Sequence, residues 1–270
     1  MVGLSRSALA LGTLLTLVFN SSDTLFTFGL QNEVSYNCNN LNVISLYCLI
    51  GDVGLTKIIS ILVLLLVIVG IKPQWTCIPH WWVTYSFAVT SYAIDGGDQV
   101  TSILTFLLIP ICLTDTRYSH WHKSGLGQEA VSFYRRCIAF FAFALIQLQV
   151  AFIYFNAAVG KFAVAEWLNG TAVYYWSTNQ LFGLNNSLRF IILPVLQNPF
   201  MISFITWGVL LFELFLFSCI FIRNEKLRKY AWIAGILFHF SIILVHGLIS
   251  FFFAMFAALT LFLTAKNKSV

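Results

Sequence analysis

Lys161 is the residue whose setting most needs a chemical explanation, because it closes a stretch from Cys137 to Gly160 that carries no charge at all. An ammonium carried into hydrocarbon is costly and is kept where it pairs, relays protons or holds a ligand. In an apolar cleft such a lysine would be a neutral amine, able to act as a base near neutral pH. Glu166, five residues on, could oppose that by favouring the ammonium. A second reading stays open beside it: a lysine near a helix end can simply snorkel to the headgroups. Gln147, Ala151, Tyr154, Ala158 and Lys161 follow one another by four, three, four and three residues, so they share one helical stripe. Its small members admit a neighbouring helix closely, and its polar members would face the bundle interior. A second stripe holds Gln149 and Asn156.

Glu213 is the deepest acid in the chain, near the middle of the apolar stretch 199–222. A carboxylate there is a candidate functional group, with pairing to a lysine or histidine, or a hydrogen bond between helices, as the competing reading. His239 and His246 are seven apart and fall on one face with Trp232 and Gly235. Each could be an interhelical hydrogen bonder, or the two could form a proton relay with Glu213. The chain has no CxxC or Cys/His metal spacing, no Ser/His/Asp elbow, no phosphate-binding glycine loop and no haem motif. The polar and aromatic run 115–123 could bind lipid phosphates or a partner, or could be an interfacial loop anchored by Tyr118 and Trp121.

The elements that must position these groups are membrane helices. With 59% hydrophobic and 9% charged residues in 270 and a mean hydropathy of +0.86, the chain is too apolar for a soluble globular domain. Apolar segments recur along its whole length and leave no room for a second domain, so residues 1–270 read as one all-α, polytopic membrane bundle. Eight helices are expected near 4–19, 55–71, 80–95, 98–113, 134–165, 199–222, 230–246 and 248–264. The first is expected to be retained, since Phe19 to Asp23 offers no small-x-small cleavage site. Threading them with both termini cytoplasmic puts Arg6, Lys72, Arg117, Lys123, Arg135, Arg136, Arg223, Lys226, Arg228, Lys229, Lys266 and Lys268 inside, leaving Lys57, Lys161 and Arg189 outside. The net charge of +5 therefore reflects topology and not nucleic-acid binding. Two larger segments, 20–54 and 166–198, fall on the outer side. In the first, Cys38 and Cys48 either form a disulfide on the oxidising face or remain two thiols in a partly buried loop. Cys77, Cys112, Cys137 and Cys219 read as small core residues.

The segment Phe155-Asn156-Ala157-Ala158-Val159-Gly160-Lys161-Phe162, followed by Glu166-Trp167-Leu168-Asn169-Gly170 and Tyr174-Tyr175-Trp176, resembles the core signature of the HTTM family, the membrane domain shared with vitamin K-dependent gamma-carboxylase. The run from Leu4 to Leu17 resembles, in addition, the start of the bacterial SdpB subfamily. On that resemblance Lys161 matches the lysine that deprotonates reduced vitamin K, and His239, in Leu237-Phe238-His239-Phe240, matches the family's late histidine. Glu213 joins them as the third candidate catalytic residue, and a quinone is the cofactor the resemblance implies. Gly160 stands where the carboxylase has a second lysine, and the sequence ends at Val270 without a lumenal domain, so gamma-carboxylation itself is not expected. SdpB-like proteins are implied to sit in a bacterial cytoplasmic membrane and to mature a secreted toxin precursor. The implied partners are a small SdpA-like protein, an SdpC-like precursor peptide and membrane lipid. A quinone-dependent membrane enzyme of the carboxylase type and a non-enzymatic scaffold or immunity-like binding protein remain the alternatives.

Overall fold

A computed structural model of the chain describes residues 1–27, 38–122, 133–180 and 183–264. Lys123, Lys266 and Lys268 of the charge pattern lie outside the described residues. The elements, in chain order, are α1 (Val2–Phe19), α2 (Ser22–Phe26), a 3-10 turn (Asn40–Ile44), α3 (Leu46–Ile50), α4 (Val53–Val69), α5 (Pro73–Thr90) and α6 (Gly96–Leu113). They continue with α7 (Phe133–Lys161), α8 (Ala165–Leu168), α9 (Ala172–Thr178), α10 (Asn186–Leu196), α11 (Pro199–Ser218), α12 (Glu225–His246) and α13 (Ile249–Leu263). Among the described residues there is no sheet, only one isolated bridge between Ile71 and Ser119.

Each of the eight expected helices has a counterpart, and among the described residues five helical stretches are long and apolar enough to cross a membrane: Val2–Phe19, Gly96–Leu113, Phe133–Lys161, Pro199–Phe221 and Glu225–His246. The third is displaced. It was expected near 80–95 but begins at Pro73, because a proline at the first helical position has a preset φ and lacks only an N–H that would be unpaired anyway. It stops at Thr90, ahead of the Asp95/Asp98 capping box that opens α6. Segments 20–54 and 166–198, read as loops, contain the short helices α2, α3, α8, α9 and α10.

The chain divides into two compact units. The first comprises Met1–Ile146 with Ser250–Leu261. Its helices pack through small and hydroxyl residues, as expected where lipid is as apolar as leucine and close approach must supply the attraction. Gly3, Ser7, Ala8, Ala10 and Gly12 are buried or nearly so on α1. Thr84 and Thr105 hydroxyls meet at 2.8 Å between α5 and α6, and Ser250 donates to Asp95 at 2.7 Å. A Cβ on Gly97 would stand 2.5 Å from the Phe251 Cα, so no other residue admits that approach. Cys38 and Cys48 are joined in a disulfide, which resolves the two readings of that pair, while Cys77 and Cys112 are buried free thiols.

Arg6 is not a loop charge. It is buried in this unit, with Nη2 donating to Thr76 Oγ1 at 3.0 Å and Nη1 donating to His120 Nδ1 at 3.4 Å. Because a guanidinium only donates, Nδ1 accepts, and the ring proton sits on Nε2, directed at Ser7 Oγ 3.2 Å away. Ser7 in turn donates to the Ile68 carbonyl, and the His120 amide donates to the Gly70 carbonyl. Gly70 is at φ +87, and a Cβ there would meet Trp121 at 2.7 Å and His120 at 2.8 Å. The loop after α6 is thereby locked to the last turn of α4, with the Trp121 indole also donating to Ile68.

The second unit comprises Gln147–Ile249 with Phe262–Val270. Arg228 is its interior fastener. The guanidinium donates to the carbonyls of Cys219, Ile222, Phe262 and Leu263 and lies over the Phe262 ring. The carbonyls of Cys219, Phe262 and Leu263 belong to the ends of α11 and α13, where helical partners run out and the dipole is negative, and that of Ile222 to the turn after α11. Gln147 adds a bond to Phe262 O at 3.4 Å.

Two outcomes are expected from these locks. Arg228→Ala leaves four carbonyls without their donor and lowers stability by about 3 kcal/mol, measurable as thermal unfolding in detergent, with Arg228→Lys recovering only part because an ammonium cannot span the fork. His120 is held down to about 4 by burial first, then by the Arg6 and Arg117 charges, against an ordinary 6.5. The unfolded chain therefore binds the proton at higher pH than the folded one, so stability is full above about 6.5, falls as pH drops toward 4, and levels off below. His120→Gln should flatten the Tm-versus-pH curve across that window; an unchanged slope would remove the assignment.

Candidate functional site

The sequence-predicted residues converge in the second unit. Lys161 is the last residue of α7, where the helix dipole favours a cation. Helical side chains lean toward the helix N-terminus, and this one does so fully: Nζ reaches back to the Ala157 carbonyl at 3.1 Å. It also donates to both carboxylate oxygens of Glu213, each at 2.8 Å. The snorkelling alternative is not what is observed, since the ammonium turns inward along its own helix. Its partner is Glu213, not the neighbouring Glu166, which is exposed.

Glu213 lies on the buried face of α11 with Ile202, Thr206, Leu210 and Leu216. Fourteen residues separate it from Pro199, roughly 21 Å of helix, so the pair lies well inside the length of α11. The Lys161 and Glu213 side chains are 21% and 9% exposed, which leaves the ammonium as the more accessible member. Trp167, from α8, places its ring 5.2 Å from Nζ, and its face attracts the cation on a second side.

A second pair is buried beneath the first. Tyr154, two turns before Lys161 on α7, and His239 on α12 are joined between OH and Nε2 at 2.9 Å. Both are almost wholly inaccessible. Tyr154 is close enough to Glu213 for the carboxylate charge to act on it. The stripe read on α7 is real: Ala151, Tyr154 and Ala158 are buried, whereas Asn156 of the second stripe is exposed. His246, expected to share a direction with His239, stands instead against the Trp176 ring at 6.2 Å. An open apolar groove runs between α11 and α12, lined by Ile205, Gly208, Val209 and Phe212 and by Ala234, Leu237 and Phe238.

Chemically, the site holds one ammonium–carboxylate pair that exchanges a proton without creating net charge, and a phenol–imidazole pair able to pass one. The segment after α7 covers it. Trp207 donates to Leu168 O at 3.3 Å, the Val173 amide meets Thr206 Oγ1, and Gly170, at φ +74, sits against Ser203. Sequence reasoning missed Trp167 and Arg228. For Arg228 a signal existed, because Arg228, Ala231, Gly235 and His239 form one helical stripe and all are buried.

Comparison with known proteins agrees with this architecture. Residues 103–266 match the HTTM domain. The chain is 36% identical to the sporulation-delaying protein SdpB of Bacillus subtilis strain 168, over 99% of its own length and 82% of that protein's. It is 35% identical to the uncharacterized protein YitO of the same strain, over 99% and 86%. No solved structure matches. A family domain spanning more than half of the chain, and a relative this similar along almost all of it, place the chain in the HTTM family of membrane proteins, within its SdpB subfamily.

Proposed function

We propose that this SdpB-like membrane protein acts in the maturation of a secreted toxin or antimicrobial peptide precursor, with the Lys161–Glu213 pair as its working group. The observation that carries the reading is the doubly bonded ammonium, 2.8 Å from each oxygen of Glu213 on the buried face of α11. A buried pair of this kind is weak as a stability device, because desolvating two charges offsets their attraction. It suits proton transfer instead: Lys161 gives or takes the proton at the substrate, Glu213 holds the compensating charge, and Tyr154 with His239 extends the path. Kinship with SdpB supports a bacterial cytoplasmic membrane; a small SdpA-like partner and an SdpC-like precursor as substrate are part of the proposal. The twelve-to-three distribution of Lys and Arg supports termini in the cytoplasm and a site reached from the outer side.

A scaffold reading has one observation in its favour: both Glu213 oxygens are already bonded to Lys161, as they would be in a fixed strut. Lys161→Arg separates the two, since arginine keeps the ion pair but cannot give up its proton. On the proposed reading, Lys161→Ala and Lys161→Arg both cut mature peptide by about a hundredfold at equal protein level, within the range of general acid–base groups. Rescue by arginine favours the strut, and unchanged yield with both removes Lys161 from the function.

Glu213→Gln gives an independent check. It keeps the shape and one acceptor but strips the countercharge, so mature peptide should fall by about tenfold or more, with the precursor accumulating in mass spectra of the culture. Full activity of the amide would leave Lys161 acting alone.

A further inference from the structure

The disulfide-closed segment of the first unit lies far from the groups just described in sequence, and its hydrogen bonds fix its depth. Leu25, in α2, is bonded through its carbonyl to the Ser91 hydroxyl and the Tyr92 amide, at the very end of α5. The 3-10 turn that follows descends. Tyr85 OH donates to Leu41 O at 2.9 Å, Trp82 Nε1 donates to Ile44 O at 2.8 Å, and the Leu46 amide donates to Ser86 Oγ at 2.8 Å. Trp82 precedes Thr90 by eight residues, about 12 Å of helix, and Tyr85 by five, about 7 Å. A second marker agrees, because the buried Tyr47 interacts with Ser60, seven residues into α4.

Irregular backbone is tolerated at membrane depth only where protein satisfies its polar groups. Here the non-helical carbonyls of Leu41 and Ile44 each receive a side-chain donor from α5, and the amides of Asn42 and Ser45 bond within the turn. In this stretch Leu41, Val43, Ile44 and Leu49 are 74%, 51%, 46% and 61% exposed, as the apolar Ile58 and Leu62 of α4 are too. In water these four would form a costly apolar face on the eleven residues from Cys38 to Cys48 and the leucine that follows them. Asn39 and Asn40, at its start, are exposed and polar.

We propose that the segment closed by Cys38 and Cys48 is a wedge seated in the lipid leaflet on the disulfide's side, with the Leu41, Val43, Ile44 and Leu49 side chains among the acyl chains and Asn39 and Asn40 at the headgroups. The disulfide and the Trp82, Tyr85 and Ser86 bonds hold its shape, so the apolar face is preset and not folded by the lipid. With both termini cytoplasmic, that leaflet is the outer one.

The test places a benzoylphenylalanine photo-crosslinker at Leu41 or Leu49, and at Asp23 on α2 as the surface control, in the full protein within membranes of cells fed an alkyne-tagged fatty acid. Tagged lipid should be captured at positions 41 and 49 about tenfold more strongly than at 23, as for side chains buried some 5–10 Å below the headgroups. Capture chiefly of a protein at both positions would overturn the proposal and make the face a docking surface for a polypeptide. A lipid signal no greater than that of the Asp23 control would overturn it as well.

Discussion

Hydrocarbon supplies no hydrogen-bond partner, and the buried cations of the described residues are arranged under that constraint. The result is visible in where these charges end up. Arg6 is spent on a histidine and a threonine hydroxyl next to the last turn of α4, Arg228 on four carbonyls, and Lys161 on Glu213. Arg228 and Lys161 thereby meet helix-terminal carbonyls or a carboxylate, the counter-charges a helical bundle can offer, whereas Arg6 is held by neutral acceptors alone. The unusual member is Lys161. A helix C-terminus would have been enough to hold it, as carbonyls hold Arg228, yet it is given a full negative charge too.

That excess explains why the pair, and not either residue, is the candidate working group. A lone lysine in this position would be driven toward the neutral amine by desolvation, while a lone glutamate would be driven toward the neutral acid. Together they cancel one another's charge, so the pair adds no net charge to the interior of the second unit. Trp167 limits the other approach to the ammonium, so the reacting direction is set by the ring on one side and the carboxylate on the other.

Much of this was legible in the chain itself. The 3.6-residue spacing on α7 put Tyr154 and Lys161 on one buried face, and apolarity alone located counterparts of the eight long helices. The start of α5 was not legible as read, because Lys72-Pro73-Gln74 looks like a loop until proline is allowed at the first helical position. Arg6 and Arg228 were absorbed into a topology count, where any arginine near a helix end scores alike; only their place on a small-residue or histidine stripe distinguishes a buried fastener from a loop charge. The pairing of Lys161 with Glu213 spans 52 positions and depends on α7 and α11 meeting at one register, which no local pattern encodes.

The family resemblance and the geometry bear on Lys161 differently. The resemblance assigns a base, which must spend part of its time as the free amine. The geometry shows the opposite resting state, an ammonium with three acceptors around it: Ala157 O and both Glu213 oxygens. These are reconciled if Glu213 is the proton's destination, since a carboxylate 2.8 Å away can take the proton whenever Nζ is required as a base and return it afterward. Gly160, where the carboxylase has a second lysine, then has a physical meaning. With nothing within 4 Å of the place its Cβ would occupy, a larger side chain would fit there, so its absence is not imposed by packing. One lysine with one carboxylate is a different arrangement of charge from two lysines, and this chain carries the former.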